Sequence, residues 1–286
     1  MAYLLALTIL LIPTYALRFD VFGLPTNLLM MWVVIFWLIF IEWLIKKRGL
    51  KEFLSHIKAL NKKTLLFIGL FFLAGIISLF TGGFSAAKLG QFVVLFLQPI
   101  SLFFIAKYIL EKIPSSKNLL LNTVYLLLGL AGAYAIFQYF TLIGLPEHYW
   151  GNSVEPKRAM SFFSHPNFYA LFSAPLLALL LPDAVESLKS KVSRLLTSER
   201  SDGGQVYLKS LAWIIGAVGL LLSMSRAGWL GLLVAMVVYL IAAADKKTRL
   251  AFFGLAIIGI ISVFSIANLR YRIILPLLER SLLFPE

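Results

Sequence analysis

Hydrophobic residues run through this chain in long unbroken blocks, separated by short polar intervals that hold most of the charge. A transmembrane barrel would show apolar and polar positions alternating over segments of about ten residues. Here the blocks are continuous and helix-length, as expected of segments that satisfy their own backbone hydrogen bonds inside a bilayer. The pattern predicts nine spans, at about 2–17, 27–45, 64–81, 89–110, 118–141, 165–181, 210–225, 227–244 and 250–267. The seventh and eighth come from one apolar run, Leu211–Ala244, whose 34 residues include a single charge, Arg226. One continuous helix of that length would be about 50 Å long, against a hydrocarbon core of roughly 30 Å. Dividing the run at "SMSRAGW" (223–229) gives two spans and puts Arg226 in a tight turn between them. The expected fold is all-α, a polytopic transmembrane bundle forming a single domain over 1–286, with no internal repeat.

Composition agrees. Of the 286 residues, 60% are hydrophobic and only 14% charged, and the mean hydropathy is +0.91. A soluble domain of this size needs more polar surface than that. The start, "MAYLLALTILLIPTYALRF", lacks the basic flank of a signal peptide and reads as a first span. Without cysteine there is neither a disulfide nor a thiolate metal site.

The net charge of +13 would suit nucleic acid, but its distribution rejects that partner. Lys and Arg cluster in the short loops that fix membrane topology. One set of loops (46–63, 107–117, 182–209 and 245–249) carries 18 of the 26. The other side holds Arg18, Lys88, Lys157, Arg158, Arg226, Arg270, Arg272 and Arg280. The positive-inside rule then puts the N-terminus and the basic loops 46–63 and 182–209 in the cytoplasm, and Arg226 at the outer face. Two cytoplasmic stretches, "LKEFLSHIKAL" and "VESLKSKVSRLL", gather apolar residues on one helical face, as helices lying on the anionic leaflet would. "SERSDGGQ" (198–205) reads as a flexible linker.

Cations on the outer side oppose that orientation, so each needs its own reason. The densest outer loop, 146–167, supplies His148, Glu155, Lys157, Arg158, His165 and Asn167, with Tyr149 and Trp150 at interface depth. An aromatic belt accounts for Tyr149 and Trp150. Pro166 suits a first helical turn, with His165 before it as a cap. Asn167 either bonds across the bundle and caps backbone groups, or lines a polar cavity. Arg226 has two readings of equal weight. In one its side chain snorkels to the headgroups. In the other it binds an anion: its forked donors match phosphate oxygens, Ser223 and Ser225 add hydroxyls, and the next helix adds free N–H groups. No histidine or carboxylate spacing suggests a metal site and no glycine-rich phosphate loop follows a strand, so no metal or cofactor is expected.

Three stretches together resemble a family. "LIPTYALRFDVFGLPTNLLM" (11–30) is similar to its first outer loop, and "RAMSFFSHPNFYALF" (158–172) to its Arg-x-x-Gly-x-Phe-x-x-Pro-Asn signature. "LLLSMSRAGWLGLLVA" (220–235) resembles its Ser-Arg turn. The family is the O-antigen ligase and polymerase superfamily of bacterial inner-membrane glycosyltransferases. The resemblance implies transfer of a glycan from an undecaprenyl-diphosphate carrier, on the periplasmic face, to an acceptor such as lipid A core or another glycan. It assigns Arg226 to stabilising the leaving diphosphate, a catalytic role. Arg158 and Asn167 match its earlier signature and line the same outer cavity; His165, Ser225 and Ser223 complete the expected substrate site, with membrane lipids as the remaining partners. Where the family signature has Gly, this chain has Ser161 or its neighbour Met160. The family also has a later outer loop with a second Arg and a His proposed as base, whereas this chain stops at "LLERSLLFPE". The expectation is therefore the N-terminal portion of a longer ligase-like protein, or a degenerate member. The alternatives are a noncatalytic subunit or scaffold of a glycan-assembly complex, and a transporter of lipid-linked glycans. The nearly charge-free span interiors argue against transport.

Overall fold

The computed structural model describes residues 1–249 except 22–23, 82, 153–155, 198–203, 244 and 246–247. The ninth expected span, 250–267, and the segment with Arg270, Arg272 and Arg280 lie outside the described residues. By its contacts the chain divides into a unit of Met1–Gly231 and a second of Leu232–Glu286. Helix contacts and the candidate site lie within the first, and the last described helix, Arg226–Ala242, runs across the boundary.

The chain is mostly helical, and it is a multi-pass membrane protein by the length and composition of its helices. Among the described residues, five helices are long and apolar enough to cross a bilayer: Leu28–Lys46, Lys62–Phe80, Ala87–Lys112, Ser116–Thr141 and Pro166–Ser187. Leu208–Leu222 and Arg226–Ala242 are shorter apolar helices. The expected first span is broken. Helix α1 (Ala2–Leu10) gives way to a 3₁₀ turn over Ile12–Ala16, because Pro13 cannot continue the α-helical hydrogen-bond ladder. The architecture is all-α apart from a small hairpin of β1 (Arg18–Val21) on β2 (Leu24–Asn27), antiparallel, with Arg18 opposite Asn27. The hairpin hands directly into α2 (Leu28–Lys46), whose first turn Asn27 caps by accepting the Met30 N–H at 2.9 Å.

After α2 come α3 (Leu50–Lys58) and α4 (Lys62–Phe80), the latter turning most of its apolar surface outward. Then α5 (Ala86–Phe92) runs through a π-helical turn, Val93–Leu97, into α6 (Gln98–Lys112). Pro99 explains the wide turn: it has no N–H for the Leu95 carbonyl, and its ring would strike that carbonyl in an α-helix. The last four helices are α7 (Ser116–Thr141), α8 (Pro166–Thr197), α9 (Gly204–Leu222) and α10 (Arg226–Ala242). The amphipathic stretch 185–196 is no separate surface helix, since α8 continues through Pro175 and Pro182 to include it.

Antiparallel packing gives the bundle two chemically different ends. At one, Ala2, Leu5 and Ala6 meet Phe36, Phe40, Leu44, Tyr108, Ile109 and Leu120. Helix α3 is drawn onto this cluster, with Phe53 ring-to-ring at 5.4 Å from Phe40 and 5.3 Å from Tyr108. Glu52 pairs with Lys112, and His56 Nε2 lies 3.2 Å from Glu111 Oε2. The Lys112 ammonium, bonded to Glu52, is the main reason that its carboxyl is held below the usual carboxylate range, with His56 and Tyr108 adding to it against a smaller desolvation. Toward the other end, α7, α8 and α9 pack through small residues. The α7–α9 pairing is the most extensive among the described residues. Gly132 lies against the Ile215 carbonyl and Gly216, so the two backbones touch, as close helix crossings in membranes require. This crossing fixes where the end of α9 and the start of α8 emerge.

Candidate functional site at the Ser223–Arg226 turn

The loop from α7 to α8 is folded back onto the bundle. Helix α7 ends with Leu142 in the left-handed region (φ 64°). Gln138, buried in its last turns, donates Nε2 to the carbonyls of Gly144 (3.1 Å) and Ser161 (3.0 Å). Trp150 Nε1 donates to Leu145 O at 2.7 Å. Lys157 donates to Tyr139 O at 2.9 Å and lies 5.0 Å over the Tyr139 ring, so this cation closes the end of α7. Ser161 holds φ 55°, a conformation that favours glycine. It is buried, and its hydroxyl donates to Ala131 O at 2.7 Å, which helps to hold the strained turn.

This loop meets the end of α9. The Ala159 N–H donates to Leu222 O at 2.9 Å, and Arg158 Nε to Ser223 O at 3.2 Å. Arg158 Nη2 donates to Asn167 Oδ1 at 2.8 Å, and the Arg158 N–H to Tyr149 O at 3.0 Å. Three pieces of chain are thereby joined at one half-buried guanidinium: the 142–165 loop, the last turn of α9 and the first of α8. His165 completes the group, accepting the Asn167 N–H on Nδ1 at 3.0 Å, with its ring edge-on to Tyr149 at 5.7 Å between centroids.

The α9–α10 connection is a tight turn, as the division of the long apolar run required. Met224 takes φ 51°, Ser223 Oγ donates to Leu220 O at 2.7 Å, and Ser223 Oγ accepts the Ser225 N–H at 3.3 Å. Trp229 Nε1 donates to the same Leu220 carbonyl at 3.1 Å. Gly228 brings α10 close to Ala170 and Leu220, where an added Cβ would come within 2.8 Å of the Ala170 side chain. Ser223 and Ser225 are buried, and the Ser223 hydroxyl builds the turn. Arg226 opens α10 with an exposed side chain that has no hydrogen bond or ion pair among the described residues.

Of the sequence-derived site residues, Arg158, His165, Asn167 and Ser223 form one bonded group, Ser225 is buried beside Ser223, and Arg226 follows three residues after Ser223 along the turn. Sequence reasoning passed over Gln138 and the Leu222 and Ser223 carbonyls. An amide among the apolar residues of a span was a signal for Gln138, whereas backbone acceptors leave none. Chemically, the internal bonds engage Asn167 Oδ1 and His165 Nδ1 as acceptors. Among the described residues Arg158 Nη1, Asn167 Nδ2, His165 Nε2 and the Arg226 guanidinium remain without partners, all of them able to donate. Donors of this kind are able to hold an anion. No group of three or more metal-ligating side chains occurs among the described residues. No family model, no curated protein and no solved structure matches this chain.

Proposed function

We propose that the chain is a glycosyl-transfer protein of the O-antigen ligase and polymerase type. It takes a glycan from undecaprenyl diphosphate and delivers it to an acceptor such as lipid A core or another glycan. It does so at the periplasmic face of the bacterial inner membrane, with the N-terminus and the basic end of the bundle in the cytoplasm. The observation that carries this reading is that the two stretches with family resemblance, 158–172 and 220–235, meet through Arg158 and Ala159 on the Leu222 and Ser223 carbonyls. The left-handed Ser161 adds support, because it occupies the glycine position of the signature and adopts a glycine-like conformation.

In the reaction the acceptor oxygen attacks the anomeric carbon, and the bond from that carbon to the diphosphate oxygen breaks. The electron pair leaves with the diphosphate, and the acceptor proton passes to a base. Arg226 stabilises the charge growing on the diphosphate. The base is the open position. His56 lies beside Glu111 at the opposite end, and His165 Nδ1 already holds a backbone N–H. The second reading is a noncatalytic membrane subunit or scaffold of a glycan-assembly complex.

The protein in nanodiscs, supplied with undecaprenyl diphosphate bearing a labelled oligosaccharide and with lipid A core, tests both. Label reaching the acceptor with wild type but not with Arg226→Ala is the expected result. Carrier binding without transfer supports the subunit, and absence of carrier binding refutes both readings.

A further inference from the structure

His165 stands at the N-terminus of α8, where its Nδ1 accepts the Asn167 N–H at 3.0 Å. A backbone amide can only donate, so Nδ1 carries no proton, and the neutral imidazole then holds its proton on Nε2. That Nε2–H has no hydrogen-bond partner among the described residues. The ring is held edge-on to Tyr149 and 5.8 Å, centroid to centroid, from Phe168, so its direction is set. Arg158 is engaged otherwise, with Nε on the Ser223 carbonyl and Nη2 on Asn167 Oδ1.

We propose that His165 is a ligand-facing hydrogen-bond donor of this site: the α8 N-terminus fixes it as the Nε2–H tautomer, which donates to an oxygen of the diphosphate. Arg158 is a positioning residue that ties the loop to the Ser223 turn. The proposal rests on the diphosphate reading above. It also means that His165 cannot take the acceptor's proton while it caps α8, because its one free lone pair is in use.

Two substitutions separate the cap from the donor. In His165→Asn the amide oxygen reproduces Nδ1 and asparagine is a favoured cap, but nothing reaches the Nε2 position. In His165→Gln the amide NH₂ reaches the Nε2 position and the short cap is lost. Expected for His165→Asn is an unfolding midpoint like that of wild type and about tenfold weaker binding of undecaprenyl diphosphate in nanodiscs, the loss of one hydrogen bond to a charged group. Expected for His165→Gln is a lower midpoint with binding closer to wild type.

Should the variants not fold, ¹⁵N-histidine spectra of the wild-type chain decide the matter, since it has 3 histidines. One must show an unprotonated Nδ1 whose Nε2–H resonance moves with undecaprenyl diphosphate and not with undecaprenol. Binding at wild-type strength by His165→Asn, or the absence of such a histidine, overturns the proposal. If Arg226→Ala weakens binding while His165→Asn does not, only this inference falls. A wild type that binds no undecaprenyl diphosphate removes the diphosphate reading with it.

Discussion

Replacing Gly132 by alanine puts one methyl group where two helices touch through their backbones. An ideal Cβ at this position lies 2.5 Å from the Ile215 carbonyl oxygen, 2.7 Å from its carbon and 2.8 Å from the Gly216 Cα. Ordinary contact begins at 3.4 Å, so α9 must retreat by about 0.9 Å along the closest line. A gap of that order forfeits a quarter to a half of each dispersion contact it opens. The struck atoms are backbone and cannot rotate away. Overpacking of this kind costs about 1–3 kcal/mol, and the greater helix propensity of alanine returns up to about 1 kcal/mol. The net expectation is a loss of about 1–2 kcal/mol, read by reversible unfolding in mixed detergent micelles. Gly69→Ala in α4 is the matched control, since nothing lies within 4 Å of its added Cβ. It should leave stability unchanged or raise it by up to about 1 kcal/mol. If Gly132→Ala behaves like Gly69→Ala, α7 and α9 do not cross at backbone contact, and the placement of the Ser223 turn loses its foundation.

Three further outcomes follow. At Ser161, alanine removes the bond to Ala131 O and keeps the left-handed strain, costing about 2 kcal/mol; glycine removes the bond but relieves the strain, so the same unfolding measurement should rank Ser161→Gly above Ser161→Ala. Asn167→Asp keeps an acceptor for Arg158 and puts a negative charge on the α8 N-terminus, so stability should hold or rise by about 0.5 kcal/mol. Its carboxylate also repels a diphosphate, and binding of undecaprenyl diphosphate should weaken. At the basic end the depressed Glu52 carboxyl stabilises the docking of α3 above its unfolded value of about 4.3, and that contribution is lost as pH falls through the lower folded value. Hydrogen exchange over 50–58 should therefore speed up on acidification below about pH 4 in wild type and show no such step in Glu52→Gln.

The spans were legible because apolar length is a property of sequence alone. Helices α2, α4, α7 and α10 begin and end within a few residues of the pattern's limits, and Arg226 falls at the turn that the 34-residue run demanded. What escaped depended on partners distant in sequence. Phe53 faces Phe40 and Tyr108 instead of the leaflet alone, because aromatic rings from two other helices accept it. The β1–β2 hairpin is too short for its alternation to stand out from a loop, and the π turn follows from Pro99 only once α5 and α6 are known to be continuous. At the site the residue types were readable and their division of labour was not. Arg158 and Arg226 look alike in sequence, yet one is bonded on two of its nitrogens and the other is open. Ser223 reads as a ligand hydroxyl in sequence and is fully buried in the turn, bonded to Leu220 O.

The central claim is that the end of the bundle where 158–167 meets 223–226 receives the diphosphate of a polyprenyl carrier. Photo-crosslinking tests it most directly, using an undecaprenyl diphosphate analogue with the reactive group beside the phosphates and mass-spectrometric mapping on the protein in nanodiscs. The account predicts adducts in the peptides holding His165–Asn167 and Ser223–Trp229, suppressed by excess undecaprenyl diphosphate and weakened in Arg226→Ala. Adducts confined to the basic end, around Leu50–Lys58 and Lys107–Lys112, would contradict it.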